Sequence, residues 1–128
     1  MKHATTISRI ILGLIFFVFG LNGFFPFIPM GTMPPEVNAF MGAMAATGYF
    51  IPVLALTQVT SGALLILNFY VPIALILLAP VIFQIVLFHI FLESGGMLLT
   101  VVLVILESFL AYKHWKYFSA LFTKKCDV

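Results

Sequence analysis

Long apolar runs alternate with short polar connections along the chain. Lys2 and Arg9 precede the first run, which ends before Pro26 without a small-x-small cleavage site, so we interpret it as an uncleaved helix. No Asp, Glu, Lys or Arg occurs from Val37 to Leu92. Because one membrane crossing needs about 20 apolar residues, that stretch holds two helices and a turn. The pattern therefore predicts four spans, over residues of about 7–25, 49–68, 72–92 and 97–117.

The connection between the first and second spans predicts one short helix. Pro34-Pro35-Glu36 opens it, since proline is tolerated in a first helical turn and an acid favours the positive helix end. A helix over about 34–47, ended by Gly48, is too short to cross a bilayer, so we expect it at the interface. The predicted fold class is all-α: a single domain, residues 1–128, forming an integral membrane antiparallel four-helix bundle with a short interfacial helix between spans 1 and 2.

Composition and charge favour a membrane location and exclude other classes of protein. Hydrophobic residues make up 63% of the chain and charged residues 8%, against about 25% charged in soluble domains. A soluble globular domain and a nucleic-acid binder are therefore excluded.

All six basic residues lie near the chain ends, so four crossings and the positive-inside rule predict a cytoplasmic N-terminus and C-terminus. The single cysteine, Cys126, excludes an internal disulfide or a CxxC pair.

Three polar side chains are expected near the middle of the membrane. Glu107 lies about 15 Å from the start of the fourth span, and Gln58 and Gln84 each lie about 12 Å from an end of theirs. An antiparallel bundle stacks them in one polar layer. Because a buried carboxyl is costly in lipid, Glu107 serves either as a proton-relay or ligand-anchoring group, or as an interhelical hydrogen bond that holds the bundle together. The sequence leaves both readings open.

Two further polar candidates lie near the outer ends of the spans. His89 is close to the end of the third span, and Asn22 reaches a similar depth in the first, where the two are able to meet. His89 is about 140° around the helix from Gln84, so these two are not expected to share a face. Histidine often tunes protonation, which makes His89 a candidate site residue, whereas Asn22 also fits an ordinary helix end.

A seam of small residues follows Arg9 in the first span. Gly13, Gly20 and Gly23 follow it at helical spacing, which predicts close approach of another helix. Arg9 lies at the cytoplasmic end of this seam, where three roles are open: snorkelling to the interface, binding an anionic lipid head group, or reaching inward toward Glu107.

Five short motifs occur in order along nearly the whole chain. They are Arg9–Phe16 (RIILGLIF), Phe19–Phe24 (FGLNGF), Ala45–Phe50 (AATGYF), Ser61–Asn68 (SGALLILN) and Leu87–Leu92 (LFHIFL). In these motifs the chain resembles the DoxX family of small bacterial membrane proteins with four helices. The resemblance implies a location in the bacterial inner membrane. It also implies an accessory redox role, because the family is named for its similarity to a small subunit of a thiosulfate:quinone oxidoreductase and some relatives work beside oxidative-stress enzymes.

Three classes of function remain open, and the sequence favours a protein that is not a complete enzyme by itself. The first is an accessory or anchoring subunit for a quinone-linked or oxidative-stress redox system, with a quinone as candidate cofactor and a redox protein as candidate partner. The second is a small transporter that uses a mid-membrane Glu107 site and needs a homodimer. The third is a structural or assembly protein. No metal site is predicted, since the chain has neither HExxH nor a Cys/His cluster.

Overall fold

The structure is helical throughout the part of the chain that it describes. This computed structural model covers residues 2–25, 34–92 and 95–125, and no strand occurs in these ranges, which confirms the all-α prediction. Cys126 lies outside the described residues. The elements are α1 (Lys2–Phe24), α2 (Pro35–Ala46), α3 (Phe50–Leu67), α4 (Val71–Phe91), α5 (Met97–Lys113), α6 (Trp115–Phe118) and a 3-10 helix (Ser119–Phe122).

Helices α1 and α3 approach each other closely because small residues face one another. A Cβ atom on Gly62 would lie 2.6 Å from both the carbonyl oxygen of Gly13 and the backbone nitrogen of Phe17. One on Gly20 would lie 3.0 Å from the carbonyl oxygen of Ala55. Since Gly13 faces Gly62 and Gly20 faces Ala55, the two helices run antiparallel. The glycine seam predicted in the first span is therefore confirmed as a helix–helix contact.

The four long helices form a ring of neighbours. Helix α3 also packs on α4, α4 packs on α5, and α5 returns to pack on α1. The ring encloses an aliphatic and aromatic core whose fully buried members include Leu12, Phe16, Leu65, Leu78 and Leu110. Burial of this kind, together with close helix contact, holds the four helices in one bundle.

The outer surface of the bundle is apolar. Phe83 on α4 is 61% exposed and Ile105 on α5 is 60% exposed. Helices α1, α3 and α4 are long and apolar enough to cross a membrane, and α5 with the bent segment Trp115–Phe122 brings the number of candidate spans to four. A surface of this composition is suited to lipid contact.

The predicted fourth span ends earlier than expected. Instead of continuing from 97 to 117, the helix stops at Lys113 and the chain turns by 78° before Trp115–Phe122. His114 leaves helical geometry there, with φ −106° and ψ 20°, and its Nδ1 lies 2.8 Å from the carbonyl oxygen of Leu110. The same carbonyl accepts the backbone N–H of His114 at 3.0 Å, and α5 ends at Lys113 with His114 as its C-terminal cap.

Helix α2 lies across one end of the bundle, close to the predicted bounds. Its Val37 side chain is buried, and its Phe40 ring lies 5.8 Å from the ring of Phe88 on α4, centroid to centroid. Gly48 follows with φ +81°, a conformation that favours glycine, and redirects the chain into α3. Helix α2 therefore covers the end of the bundle that holds a cavity to which its own side chains contribute.

Candidate functional site

A large cavity lies beneath α2, between the four long helices. Its volume is about 950 Å³, which falls within the range typical of small-molecule sites. All of the first five helices contribute to its wall. Most of this wall is apolar, and its aromatic members are Phe16, Phe19, Phe40, Phe50, Phe88 and Phe91.

Four polar side chains interrupt the apolar wall. Gln58 comes from α3, Gln84 and His89 come from α4, and Thr100 comes from α5. Gln58 is half-buried and Gln84 is exposed, so both carboxamides are accessible to a molecule in the cavity. A carboxamide is both a donor and an acceptor, so the two glutamines can orient a ligand that carries carbonyl or hydroxyl groups. We name this set the polar wall.

His89 is held in place by two hydrogen-bonding partners. Its Nδ1 lies 2.9 Å from the carbonyl oxygen of Ile85, one helical turn earlier, and 3.0 Å from Oγ1 of Thr100. The Thr100 hydroxyl donates to the carbonyl oxygen of Gly96 at 3.0 Å, so it serves His89 as an acceptor. This network assigns the proton to Nδ1 and leaves the Nε2 lone pair as an acceptor.

Gly96 makes room for the imidazole of His89. A Cβ atom at position 96 would clash with Nε2 and would lie 2.9 Å from Cδ2 of the same ring. The backbone at Gly96 has φ −97°, which other residues also adopt, so it is space that requires glycine here. Gly96 leaves space for the ring, and Thr100 contacts its Nδ1. Only the packing of α5 on α4 shows that both residues position His89.

The structure places Glu107 away from this cavity. Among the described residues, the cavity wall includes Thr100 and Leu103 of α5 but not Glu107, which lies one turn further along the same helix face. Oε1 of Glu107 is buried and has no hydrogen-bond partner among the described residues. The two glutamines line the cavity and Glu107 does not, and the polar layer expected from all three stays a prediction.

The remaining candidate residues occupy different places. His89 and Gln84 both reach the cavity despite their angular separation, because its wall follows α4 from Pro80 to Leu92. Asn22 is half-buried near the end of α1 and does not belong to the described cavity wall. The structure thus brings together Gln58, Gln84 and His89, and it adds Thr100 to them.

Arg9 binds the C-terminal end of a neighbouring helix. Its Nη1 donates to the carbonyl oxygen of Leu65 and, at 3.1 Å, to that of Ile66. These carbonyls belong to the last turn of α3, where a helix carries partial negative charge and lacks internal donors. The Arg9 guanidinium therefore supports the contact of α1 with α3.

Comparison with protein-family models, with characterised proteins and with solved structures gives no match for this chain. Within the described ranges, no group of three or more His, Cys, Asp or Glu residues is arranged to hold a metal ion. The cavity presents an apolar surface with aromatic members and the polar wall to a ligand.

Proposed function

We propose that this chain is a DoxX-type protein of the bacterial inner membrane that binds a quinone-class molecule as an accessory subunit of a redox system. In this proposal the chain crosses the membrane four times as an antiparallel bundle, and the start of α1 and the end of α5 face the cytoplasm. The observation that carries the proposal is the aromatic cavity of about 950 Å³, whose lining includes the polar wall.

The chemistry of the cavity supports a flat apolar ligand with carbonyl groups. Aromatic side chains pack against a ring in stacked or edge-to-face geometry. The carboxamides of Gln58 and Gln84 donate to carbonyl oxygens, and Nε2 of His89 accepts from the hydroxyl of a reduced ring. A quinone carries carbonyl groups when it is oxidised and hydroxyl groups when it is reduced. One cavity with both donors and acceptors therefore serves both redox states.

An accessory role follows from what one chain supplies. With a single cysteine, one chain cannot form a dithiol pair that would exchange electrons with a bound quinone. The proposal therefore assigns quinone binding to this protein and electron supply to a partner enzyme. Exposed aromatic and basic residues beyond α5, namely Trp115, Lys116 and Tyr117, suit a position at the cytoplasmic membrane surface.

A binding experiment on the whole protein tests this proposal. The chain is purified in mild detergent, its bound lipids are extracted and analysed for quinones, and the stripped protein is titrated with a short-chain benzoquinone. We expect saturable binding that Gln58→Leu and Gln84→Leu each weaken by about fivefold, the effect of one net hydrogen bond of about 1 kcal/mol. Absence of both copurified quinone and saturable binding would reject the proposal.

Glu107 supports a second candidate function, the transport of a weakly acidic solute. The supporting observation is its buried Oε1, which has no partner among the described residues, because an ionisable group inside a membrane often marks a transport pathway. In vesicles that contain the purified protein, Glu107→Gln should abolish uptake of a weak acid while Gln58→Leu leaves it intact. Equal uptake by the wild type and by Glu107→Gln would count against this function.

A further inference from the structure

A second cavity lies at the opposite end of the bundle from α2. Its volume is about 380 Å³, and it sits where α1 begins, α3 ends and α5 ends. The residues around it are polar or charged, in contrast to the aromatic cavity, and they are Lys2, Thr5, Thr6, Arg9, Asn68, Lys113 and His114. We name this cavity the basic pocket.

Three positive charges converge on the basic pocket from separate parts of the chain. Lys2 and Arg9 come from the first turns of α1, whereas Lys113 is the last residue of α5. The described lining of the pocket includes no carboxylate. Because the cations are gathered by the fold and are not balanced within this lining, the pocket attracts an anion.

Two of these cations are held by surrounding groups. The bonds from Arg9 to the carbonyls of Leu65 and Ile66 both leave from Nη1, and a guanidinium carries further N–H donors on Nε and Nη2. Lys113 Nζ lies 5.7 Å from the ring centroid of Phe109 and 5.8 Å from that of Tyr112. Such contacts reduce the entropy that the side chains lose when an anion binds.

Helix ends contribute partial charges of both signs to the pocket. The N-terminal end of α1, a helix of 23 residues, carries partial positive charge and lies beside Lys2. The C-terminal ends of α3 and α5 carry partial negative charge, which Arg9 and Lys113 offset. The pocket therefore offers a net cationic site, with the hydroxyls of Thr5 and Thr6 and the carboxamide of Asn68 around it.

We propose that the basic pocket binds a phosphate group. A guanidinium with two ammonium groups is the combination that proteins use for phosphate, since it pairs directional donors with point charges. The pocket lies at the end of apolar helices, where a phospholipid head group is available, but a soluble phosphate ester has the same chemistry. This site is separate from the proposed quinone cavity and does not depend on it.

Titration of the delipidated protein tests this proposal and distinguishes the two sources. The probes are dioctanoyl phosphatidylglycerol, the matched dioctanoylglycerol without phosphate, and inorganic phosphate, each scored by thermal stabilisation and by mass spectrometry of intact complexes. The variant combines Lys2→Gln with Lys113→Gln. It keeps the hydrogen bonds from Arg9 to the α3 carbonyls. The matched control is Lys124→Gln. Lys124 is an exposed lysine outside the pocket and lies near the C-terminus, as Lys113 does. Lys2→Gln alone is measured as well, because Lys2 is exposed and its loss does not threaten folding.

We expect phosphatidylglycerol to bind and dioctanoylglycerol to bind far more weakly. Each pocket lysine that is removed should lower the affinity about fivefold, as expected for one cation near an anionic head group, and Lys124→Gln should leave it unchanged. Saturable binding of inorganic phosphate would assign the site to soluble phosphates, and lipid binding alone would assign it to head groups. Equal binding of the two lipids, or equal losses in the pocket variants and the control, would overturn the proposal.

Discussion

Oγ1 of Thr100 on α5 lies 3.0 Å from Nδ1 of His89 on α4. This contact joins two neighbouring helices at the wall of the aromatic cavity, beside a glycine that leaves room for the ring. It holds the imidazole with its proton on Nδ1 and with Nε2, the acceptor nitrogen, beside Gly96. The orientation of His89 in the cavity therefore depends on residues of a different helix.

Thr100→Val should weaken benzoquinone binding, because it removes the hydroxyl that holds His89. The expected loss is about fivefold, the equivalent of one net hydrogen bond of about 1 kcal/mol. Thr57→Val is a matched control, since the Thr57 hydroxyl also donates to a carbonyl one turn earlier, that of Val53, at 3.0 Å, but Thr57 lies outside the cavity wall. Equal effects of the two variants in the titration would show that His89 does not depend on Thr100.

Gly96→Ala should displace the imidazole of His89. The new methyl group would overlap Nε2, so either the ring rotates away or the start of α5 shifts, at a cost of about 1–3 kcal/mol of stability. Nitrogen NMR of the histidine ring should report a changed environment, together with weaker benzoquinone binding. Gly42→Ala is the control, because open space surrounds that position on α2. An unchanged His89 signal in Gly96→Ala would contradict the observed packing.

Gly62→Ala should destabilise the contact between α1 and α3. The added Cβ would lie 2.6 Å from backbone atoms of Gly13 and Phe17, which unlike a side-chain tip cannot rotate away, so the two helices must separate. We expect the free energy of unfolding to fall by about 1–3 kcal/mol, measured by reversible unfolding in detergent. Gly42→Ala, inside α2 with open space around the new methyl group, should instead raise the free energy of unfolding by about 0.5–1 kcal/mol, because alanine loses less conformational freedom than glycine in a helix. Equal stability of Gly62→Ala and the wild type would contradict this close contact.

Glu107→Leu should stabilise the bundle. A buried polar atom without a hydrogen-bond partner costs about 1–3 kcal/mol, and leucine removes that cost at similar volume. Glu36→Leu, at an exposed first-turn position of α2, is the control, and it should not stabilise the protein. Destabilisation by Glu107→Leu in the same unfolding assay would identify the carboxyl as an interhelical hydrogen-bonding group.

Arg9→Met should destabilise the contact between α1 and the last turn of α3. It keeps the apolar stem but removes the charged donor to the carbonyls of Leu65 and Ile66, and hydrogen bonds to charged groups contribute about 1.5–3 kcal/mol. Lys124→Met removes a charge at an exposed site and should have no measurable effect on unfolding in detergent. A stability of Arg9→Met equal to that of this control would show that the guanidinium is dispensable for packing.

Helix positions were predictable because they depend on local properties of the chain. The absence of charge from Val37 to Leu92 required two apolar helices, and the turn between them follows from the residues around Asn68. Asn68 has φ 62°, the left-handed conformation that ends many helices and that asparagine tolerates. The end of α5 was wrong by several residues, because composition alone does not reveal that the His114 side chain binds the carbonyl of Leu110.

The sequence by itself determined an all-helical chain whose long helices are apolar enough to span a membrane, with a short helix after the first of them, since length, hydropathy and helix-ending residues act within a few turns. Only the tertiary structure decided which polar side chains meet. The close packing of Gly62 on Gly13 sets the rotation of α3 against α1, and that rotation brings Gln58 to the same cavity as Gln84 while Glu107 lies outside its wall. A rotation of one residue moves a side chain by about 100° around its helix, so interhelical contact, rather than depth in the membrane, selects the partners.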